Sequence, residues 1–483
     1  MLFPWALLAS VPSAVLGLKS PGQVPIRNGV VGGVRNKTVK AELLQSFATT
    51  PGKLRATENS GICETTKNVY QASGYGDLTS KESVWFWYFD ARTNASTAPL
   101  TLWFNGGPGS SSMIGLLQEL GPCRIANDSR TVTLNPYSWN NEANVLFIDQ
   151  PVGVGFSHGT ESVGTSEEAA ADVWKFLQIF LADSRFAHLA ANDLAIWTES
   201  YGGHYGPNFA SYFLSQNAAI AAGTATGLTL NLKTLGIGNG LTDPLSQYPG
   251  YISYANANPY ERLVSTSVIS KANASWSSST GCKAQITKCG NGGSNSVCSA
   301  AQNYCNNNIL SPLVGDHDIY YVLADEDDAY PPDITSYLAS VASKIGAEVT
   351  WQMTNDDVYN NFAETGDWMR SALPALESVI DAGIRVLIYN GDADFIVNYQ
   401  GVEDMLAVMK TASSAEFNKA ALQTYTVAGH SAGLFKTAGN VSYVRIAEAG
   451  HEVPAYKNTG LAYGQAAYQF FTQTMANQSL FST

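Results

Sequence analysis

Residues 194–207 read LAIWTESYGGHYGP. The apolar run LAIW has the length of a strand, Ser200 follows almost at once, and Gly202 and Gly203 come directly after. That order describes a strand, a sharp turn exposing a serine, and a helix. The usual signature of such a turn is G-x-S-x-G, and here Thr198 stands where the first glycine belongs. The turn needs small neighbours because backbone passes close to it, and Gly202 still meets that need. A β-branched Thr favours extended backbone, which suits the end of a strand. Ser200 is therefore read as a candidate nucleophile rather than a loop serine.

Outward from this turn, strand-like runs recur: SVWFWYF, PLTLWF, NVLFIDQ, TLGIG, IRVLIYN and YVRIAEAG. Helical patterns separate several of them. In TSEEAAADVWKFLQIFL, Thr165 and Glu168 have capping-box spacing, and Val173, Phe176, Leu177 and Phe180 fall on one face. Strands alternating with helices predict an α/β fold with a mainly parallel central sheet covered on both faces. Between about 245 and 375 the rhythm is lost, and that region is expected to form an insertion or cap. The acidic run ADEDDAYPPD within it lacks the spacing of a calcium loop and reads as a solvated loop.

The chain has 483 residues, 45% hydrophobic and 14% charged, with a formal net charge of -13. Such a composition supports a large core and argues against disorder. Without a basic stripe, nucleic-acid binding is not expected. Residues 1–17 resemble a signal peptide without its positive n-region, and residues 18–60 an irregular lead or pro-segment. No other apolar run is long enough to span a bilayer, so no membrane partner is expected. Six N-x-S/T sequons, at Asn36, Asn94, Asn127, Asn273, Asn440 and Asn477, fit a chain made in the secretory pathway, either secreted or vacuolar. Six cysteines point to the same compartment. Four of them cluster at Cys282, Cys289, Cys298 and Cys305, with gaps wider than zinc knuckles use, which favours disulfides over a metal.

GIGNGL (236–241) and GVGFSH (153–158) both fail G-x-G-x-x-G, and neither G-x-x-x-x-G-K-[ST] nor H-E-x-x-H occurs. No metal or organic cofactor is expected. A serine nucleophile needs an imidazole base, a group orienting it and an oxyanion hole. In α/β-hydrolases the order is Ser, then Asp or Glu, then His, each on a loop after a strand. Downstream of Ser200, Asp392 and Asp394 follow IRVLIYN, and two histidines remain, His430 and His451. His451 follows the last strand pattern, whereas His430 precedes it and suits a hairpin turn. Upstream, PLTLWF runs into NGGPGSSS, whose Gly106 and Gly107 let backbone approach a substrate oxygen.

Six motifs, NGGPGSSS, FIDQPVGVGFS, TESYGGHYGP, GIGNGLTDP, YNGDADFIVN and AGHEVPAYKN, together resemble the serine carboxypeptidase family, from roughly Gly61 to the C-terminal helix. The resemblance implies an α/β-hydrolase domain over 61–483 and release of C-terminal amino acids through an acyl-enzyme. It implies Ser200 as nucleophile, His451 as base and acid, and Asp394, rather than Asp392, as the residue orienting the imidazole. It places the oxyanion hole at the N–H groups of Gly107 and Tyr201. Asn105, Gly106, Glu119 and Glu199 match the group that reads the substrate's terminal carboxylate. A buried Glu199 could stay protonated there, giving the strongest binding at acidic pH. A helix-surface acid is the plain alternative for Glu119. The family's pairing implies disulfides Cys282–Cys305 and Cys289–Cys298, leaving Cys63 with Cys123. Ser110 stands where the family often has Cys. The partner implied is a peptide or protein C-terminus, with monomer and homodimer equally compatible. An acyltransferase or esterase on the same scaffold, or a non-catalytic binding protein, are the alternatives.

Overall fold

Alternating apolar side chains in the strands serve two cores, one on each face of a single sheet. The structure, a computed structural model, describes residues 51–324 and 330–483 together with two short paired strands, Ile26–Arg27 and Val30–Val31. The expected signal peptide, Asn36, most of the N-terminal lead before residue 51 and half of the acidic run lie outside the described residues.

Eleven strands form the path of the sheet. The first five are β1 (Leu54–Glu58), β2 (Gln71–Thr79), β3 (Glu82–Phe89), β4 (Leu100–Phe104) and β5 (Asn144–Ile148). Next come β6 (Leu194–Glu199), β7 (Leu232–Gly238) and β8 (Arg385–Gly391). The last three are β9 (Gln423–Val427), β10 (His430–Ala438) and β11 (Val441–Ile446). Their spatial order is β9-β10-β11-β8-β7-β6-β4-β5-β3-β2-β1, and His158–Gly159 adds a short pairing to β3. The centre, from β11 through β5, is parallel, and antiparallel strands extend both flanks. The sheet is thus mixed, with the expected parallel part at its middle.

Period-two alternation divides the side chains. In β3, Val84, Phe86 and Tyr88 join one core, and Trp85, Trp87 and Phe89 the other. In β6, Leu194 and Ile196 face one way and Ala195 and Trp197 the other. The first core packs against α1 (Ser166–Ala182) and α2 (Gly202–Ala221). All four residues expected on the inner face of α1 are buried there. Glu168 N–H donates to Thr165 Oγ1 at 3.2 Å, but the Glu168 carboxylate accepts from Gly164 N–H, one residue before the expected partner. On the opposite face, the C-terminal helix Gln465–Met475 places Phe471 flat on Trp139, with ring centroids 4.2 Å apart.

Between β7 and β8 the described chain is built of helices and loops. Disulfides Cys282–Cys305 and Cys289–Cys298 staple its helices Cys282–Gly290 and Asn295–Cys305, and Cys63 is bonded to Cys123. A later part of this insertion lies along the glycine loop. Ser111 N–H donates to Met353 O at 2.9 Å, and Asn355 N–H to Gly109 O at 2.9 Å.

The register matters most for the site. Glu199 pairs with Gly238, Gly238 with Tyr389, and Gly391 with Ile446, while Thr198 pairs with Phe104. The carboxyl ends of β4, β6, β7, β8 and β11 therefore lie level, and five loops leave the sheet side by side. Ligand sites of open α/β sheets form at this edge. Trp139, fully buried among Trp103, Trp197 and Phe471, ties the C-terminal helix to the sheet. Trp139→Ala is expected to cost about 3–5 kcal/mol, read as a lower urea midpoint at an unchanged slope.

Candidate active site

The turn after β6 holds Ser200 at φ +65°, a conformation that residues with a Cβ resist. Three backbone hydrogen bonds fix it. Ser200 N–H donates to Gly238 O at 2.9 Å, and Ser200 O accepts from Gly203 N–H and Leu241 N–H, each at 3.0 Å. Thr198 is accommodated because its hydroxyl turns inward, donating to Gly202 O at 2.9 Å. A Cβ at position 202 would lie 2.5 Å from the Thr198 Cβ, so the Thr is compatible only with glycine there. From the end of β4, Gly106 abuts the same turn: a Cβ on it would sit 2.3 Å from Tyr201 N and 2.6 Å from Glu199 O. Neither Gly107 N–H nor Tyr201 N–H donates to another described residue.

Asp394 and His451 meet on the loops after β8 and β11. His451 Nδ1–H donates to Asp394 Oδ2 at 2.8 Å, and both side chains are fully buried. Asp394 also accepts from Asn239 Nδ2–H at 2.7 Å and from the N–H groups of Ile396 (3.0 Å) and Val397 (3.3 Å). The carboxylate is thereby oriented, and it fixes the imidazole tautomer with Nδ1 protonated. Nε2 of His451 has no hydrogen-bond partner among the described residues. Burial pulls the His451 pKa down, but the attraction of Asp394, followed by Glu452 and Glu119, outweighs it and leaves the pKa raised. Asn239 directly follows Gly238, the residue that accepts from Ser200 N–H, so one loop braces both the serine turn and the Asp–His pair.

Asn105, Glu119 and Glu199 form a second buried cluster beside the turn. Asn105 Oδ1 accepts from Trp103 Nε1–H at 2.7 Å and from Gly115 N–H at 2.9 Å. Its amide nitrogen consequently faces both glutamates, donating to Glu119 Oε1 and Glu199 Oε1 at 3.1 Å each. The second oxygen of each carboxyl, Glu119 Oε2 and Glu199 Oε2, has no hydrogen-bond partner among the described residues. Burial first, then the charges of Glu119 and Glu452, push the Glu199 pKa well above the ordinary range. Burial raises Glu119 as well. Glu119 is thus an interior acid on the turn Gly115–Glu119, not a surface one.

The remaining acid and histidine candidates are held elsewhere. Asp392 is bonded to Tyr260 and accepts from Glu448 N–H at 2.9 Å. His430 is exposed and opens β10, paired with Val427 across the two-residue turn Ala428–Gly429. His158 contacts Glu348 at 2.9 Å.

Residues 61–477 match the serine carboxypeptidase family. The chain belongs to that family. Carboxypeptidase S1 of Penicillium janthinellum is 43% identical over 431 residues, covering 88% of this chain and all of that protein. Carboxypeptidase Y of Schizosaccharomyces pombe is 38% identical over 402 residues, 80% of this chain and 40% of that one. Among solved structures, a prohormone-processing carboxypeptidase from Saccharomyces cerevisiae, Kex1, shares the fold. Its TM-score is 0.67 at 22% identity, with 86% of this chain and 93% of that one covered. This protein is a serine-type carboxypeptidase with the α/β-hydrolase fold.

Three features of the carboxypeptidase carry no obvious mark in its sequence. Asn239 lies inside GIGNGL, a glycine-rich stretch in which nothing local marks the asparagine. Its signal is position, directly after a strand and level with Ser200. Asp149, in FIDQPVGVGFS, is buried beneath the glycine loop and accepts from Ser111 Oγ–H (2.7 Å), Ser112 N–H (2.8 Å) and Phe156 N–H (2.9 Å). Burial pushes it up to about 6. Glu452 adjoins His451, is fully buried, and raises both His451 and Glu199. Glu452→Gln removes that negative charge and is expected to lower the His451 pKa, read by NMR titration of its ring in the intact protein. An unchanged or higher midpoint would contradict this electrostatic assignment.

Proposed function

We propose that Ser200, His451 and Asp394 carry the peptidase reaction and that Asn105, Gly106, Glu119 and Glu199 select a free C-terminus. The observation behind this reading is the convergence of the strained serine turn, the Asp394–His451 hydrogen bond and the buried Asn105–Glu119–Glu199 cluster at one edge of the sheet. Ser200 Oγ attacks the carbonyl carbon of the last peptide bond while its proton passes to His451 Nε2. The tetrahedral oxyanion sits against the N–H groups of Gly107 and Tyr201, where preorganised donors stabilise developing charge. Collapse breaks the C–N bond, and the departing amino acid takes the proton from His451. Water then attacks the acyl ester with His451 as base, releasing the shortened peptide and restoring Ser200.

The acid pair explains an exopeptidase. A substrate carboxylate beside ionised glutamates would be repelled, whereas Glu199 with its proton donates to it. As pH rises through the raised pKa of Glu199, the donor becomes an anion and KM for free-acid peptides is expected to rise. A C-terminally amidated twin should turn over poorly at acidic pH and show no such rise. A KM flat from acidic to mildly alkaline pH would overturn the carboxylate-reading role. The acid limb of kcat/KM belongs to His451, which must be neutral to accept a proton. The acidic preference comes from substrate binding instead: activity is proposed to be greatest on the acidic side of neutrality, where Glu199 keeps its proton. Ser200→Ala is expected to reduce turnover by about 10⁴-fold to 10⁶-fold and to abolish fluorophosphonate labelling, with the fold retained.

All six cysteines are paired, which supports an oxidising, secretory compartment. Among the described residues no helix is long and apolar enough to cross a membrane. Asn94, Asn127, Asn273 and Asn477 are exposed and are proposed to be open to glycosylation. Asn440 differs in being half-buried, with its amide nitrogen donating to two carbonyls, Ile380 O at 2.8 Å and Ile384 O at 2.5 Å. Glycopeptide mapping of protein made in a secretory host is expected to find Asn440 unmodified.

A further inference from the structure

His204 lies in the first turn of α2, four residues after Ser200, and is buried. Its Nδ1 lies 2.5 Å from the carbonyl oxygen of Leu241, and its Nε2 lies 2.7 Å from that of Arg370. A carbonyl oxygen can only accept, so each short contact needs an N–H on the ring. Neutral imidazole carries one N–H, and the doubly protonated imidazolium carries two. Turning the ring over does not remove the demand, since both nitrogens already face acceptors. The ring also lies parallel to that of Tyr201, with centroids 4.7 Å apart and planes 7° from parallel. An aromatic face attracts a cation in that position.

We propose that His204 is a positioning residue that works as an imidazolium, latching the cap to the turn that carries Ser200. One N–H holds the loop after β7 through Leu241, whose own N–H donates to Ser200 O at 3.0 Å. The other holds Arg370, in the insertion, and Ala372 N–H beside it donates to Thr242 O at 2.8 Å. Between the two, the stacked Tyr201 supplies the backbone N–H assigned to the oxyanion and fixes its phenol by donating to Asp367 Oδ2 at 2.6 Å.

The ionisable groups around the ring are Tyr201 on its own helix, Asp367 and Arg370 on the insertion, and Glu167 at the start of α1. Asp243 lies two residues beyond Leu241 and is occupied with Ser246. Asp367 is the nearest carboxylate to the Tyr201 stack and also accepts from Ser166 Oγ–H at 2.6 Å. A pocket of about 290 Å³, lined by Glu167, Asn208, Asp367 and Arg370, reaches His204 and gives the ring a route for exchanging its proton. When the ring loses one proton, a nitrogen lone pair faces a carbonyl lone pair, and one arm of the latch opens.

The charge state rests on hydrogen-bond geometry alone, and its effect on turnover rests on Ser200 being the nucleophile. Two measurements separate them. Neutron diffraction from crystals of the intact protein at an acidic pH where it is active should show deuterium on both ring nitrogens of His204. A single deuterium there overturns the proposal, whatever the role of Ser200. At saturating substrate and an acidic pH, His204→Gln should lower kcat by about tenfold with KM changed little, since the two N–H groups of an amide lie on one nitrogen and do not reproduce two opposed ring donors. A folded variant with wild-type kcat would overturn the latch. If the variant fails to fold, the deuterium count on the wild-type ring decides the proposal by itself.

Discussion

Ser200 occupies a backbone conformation at φ +65° that would cost about 1–3 kcal/mol if nothing held it. The parallel centre of the sheet supplies the hold. Gly238 on β7 accepts its N–H, Leu241 and Gly203 donate to its carbonyl, and Gly106 from β4 leaves no room for the turn to relax. Each of these contacts depends on strands β4, β6 and β7 ending level. The strained turn in turn sets where Tyr201 N–H and Glu199 stand, so the proposed attack, oxyanion binding and carboxylate reading share one mechanical origin.

Burial then does different work on different acids. Asp394 is fully buried but has donors from Asn239, His451 and two backbone N–H groups. Glu199 is equally buried, with its main neighbours a donor amide and other carboxyls, so its charged form is disfavoured. Two buried carboxyl groups thus meet opposite surroundings, and the roles proposed for them, orienting the base and binding a substrate carboxylate, follow that contrast. The difference lies in hydrogen-bond partners rather than in depth.

Much of this was legible in the chain. LAIWTESYGG announced its strand, turn and helix because a short apolar run followed by glycines has few other solutions. His451 was distinguishable from His430 by its place after the final strand pattern, and the structure puts His451, not His430, on Asp394. Asp392 and Asp394 could not be separated by pattern alone, since both follow the same strand. Their partners, Tyr260 and His451, come from distant segments. Glu119 was open for a related reason: IGLLQELGP fits an amphipathic helix, and only the packed structure brings Asn105 to its carboxyl.

By itself, the sequence determined the α/β alternation, the strand bearing Ser200 and the order Ser, Asp, His, because periodicity and turn chemistry are local. Tertiary structure decided which strands end level, which carboxyls are buried against other acids and which polar groups brace the site. Asn239, Asp149, Glu452 and His204 carry no local signature of their roles. Each acts through a partner contributed by a different loop, and only the folded register of the sheet brings those loops within hydrogen-bonding or electrostatic reach.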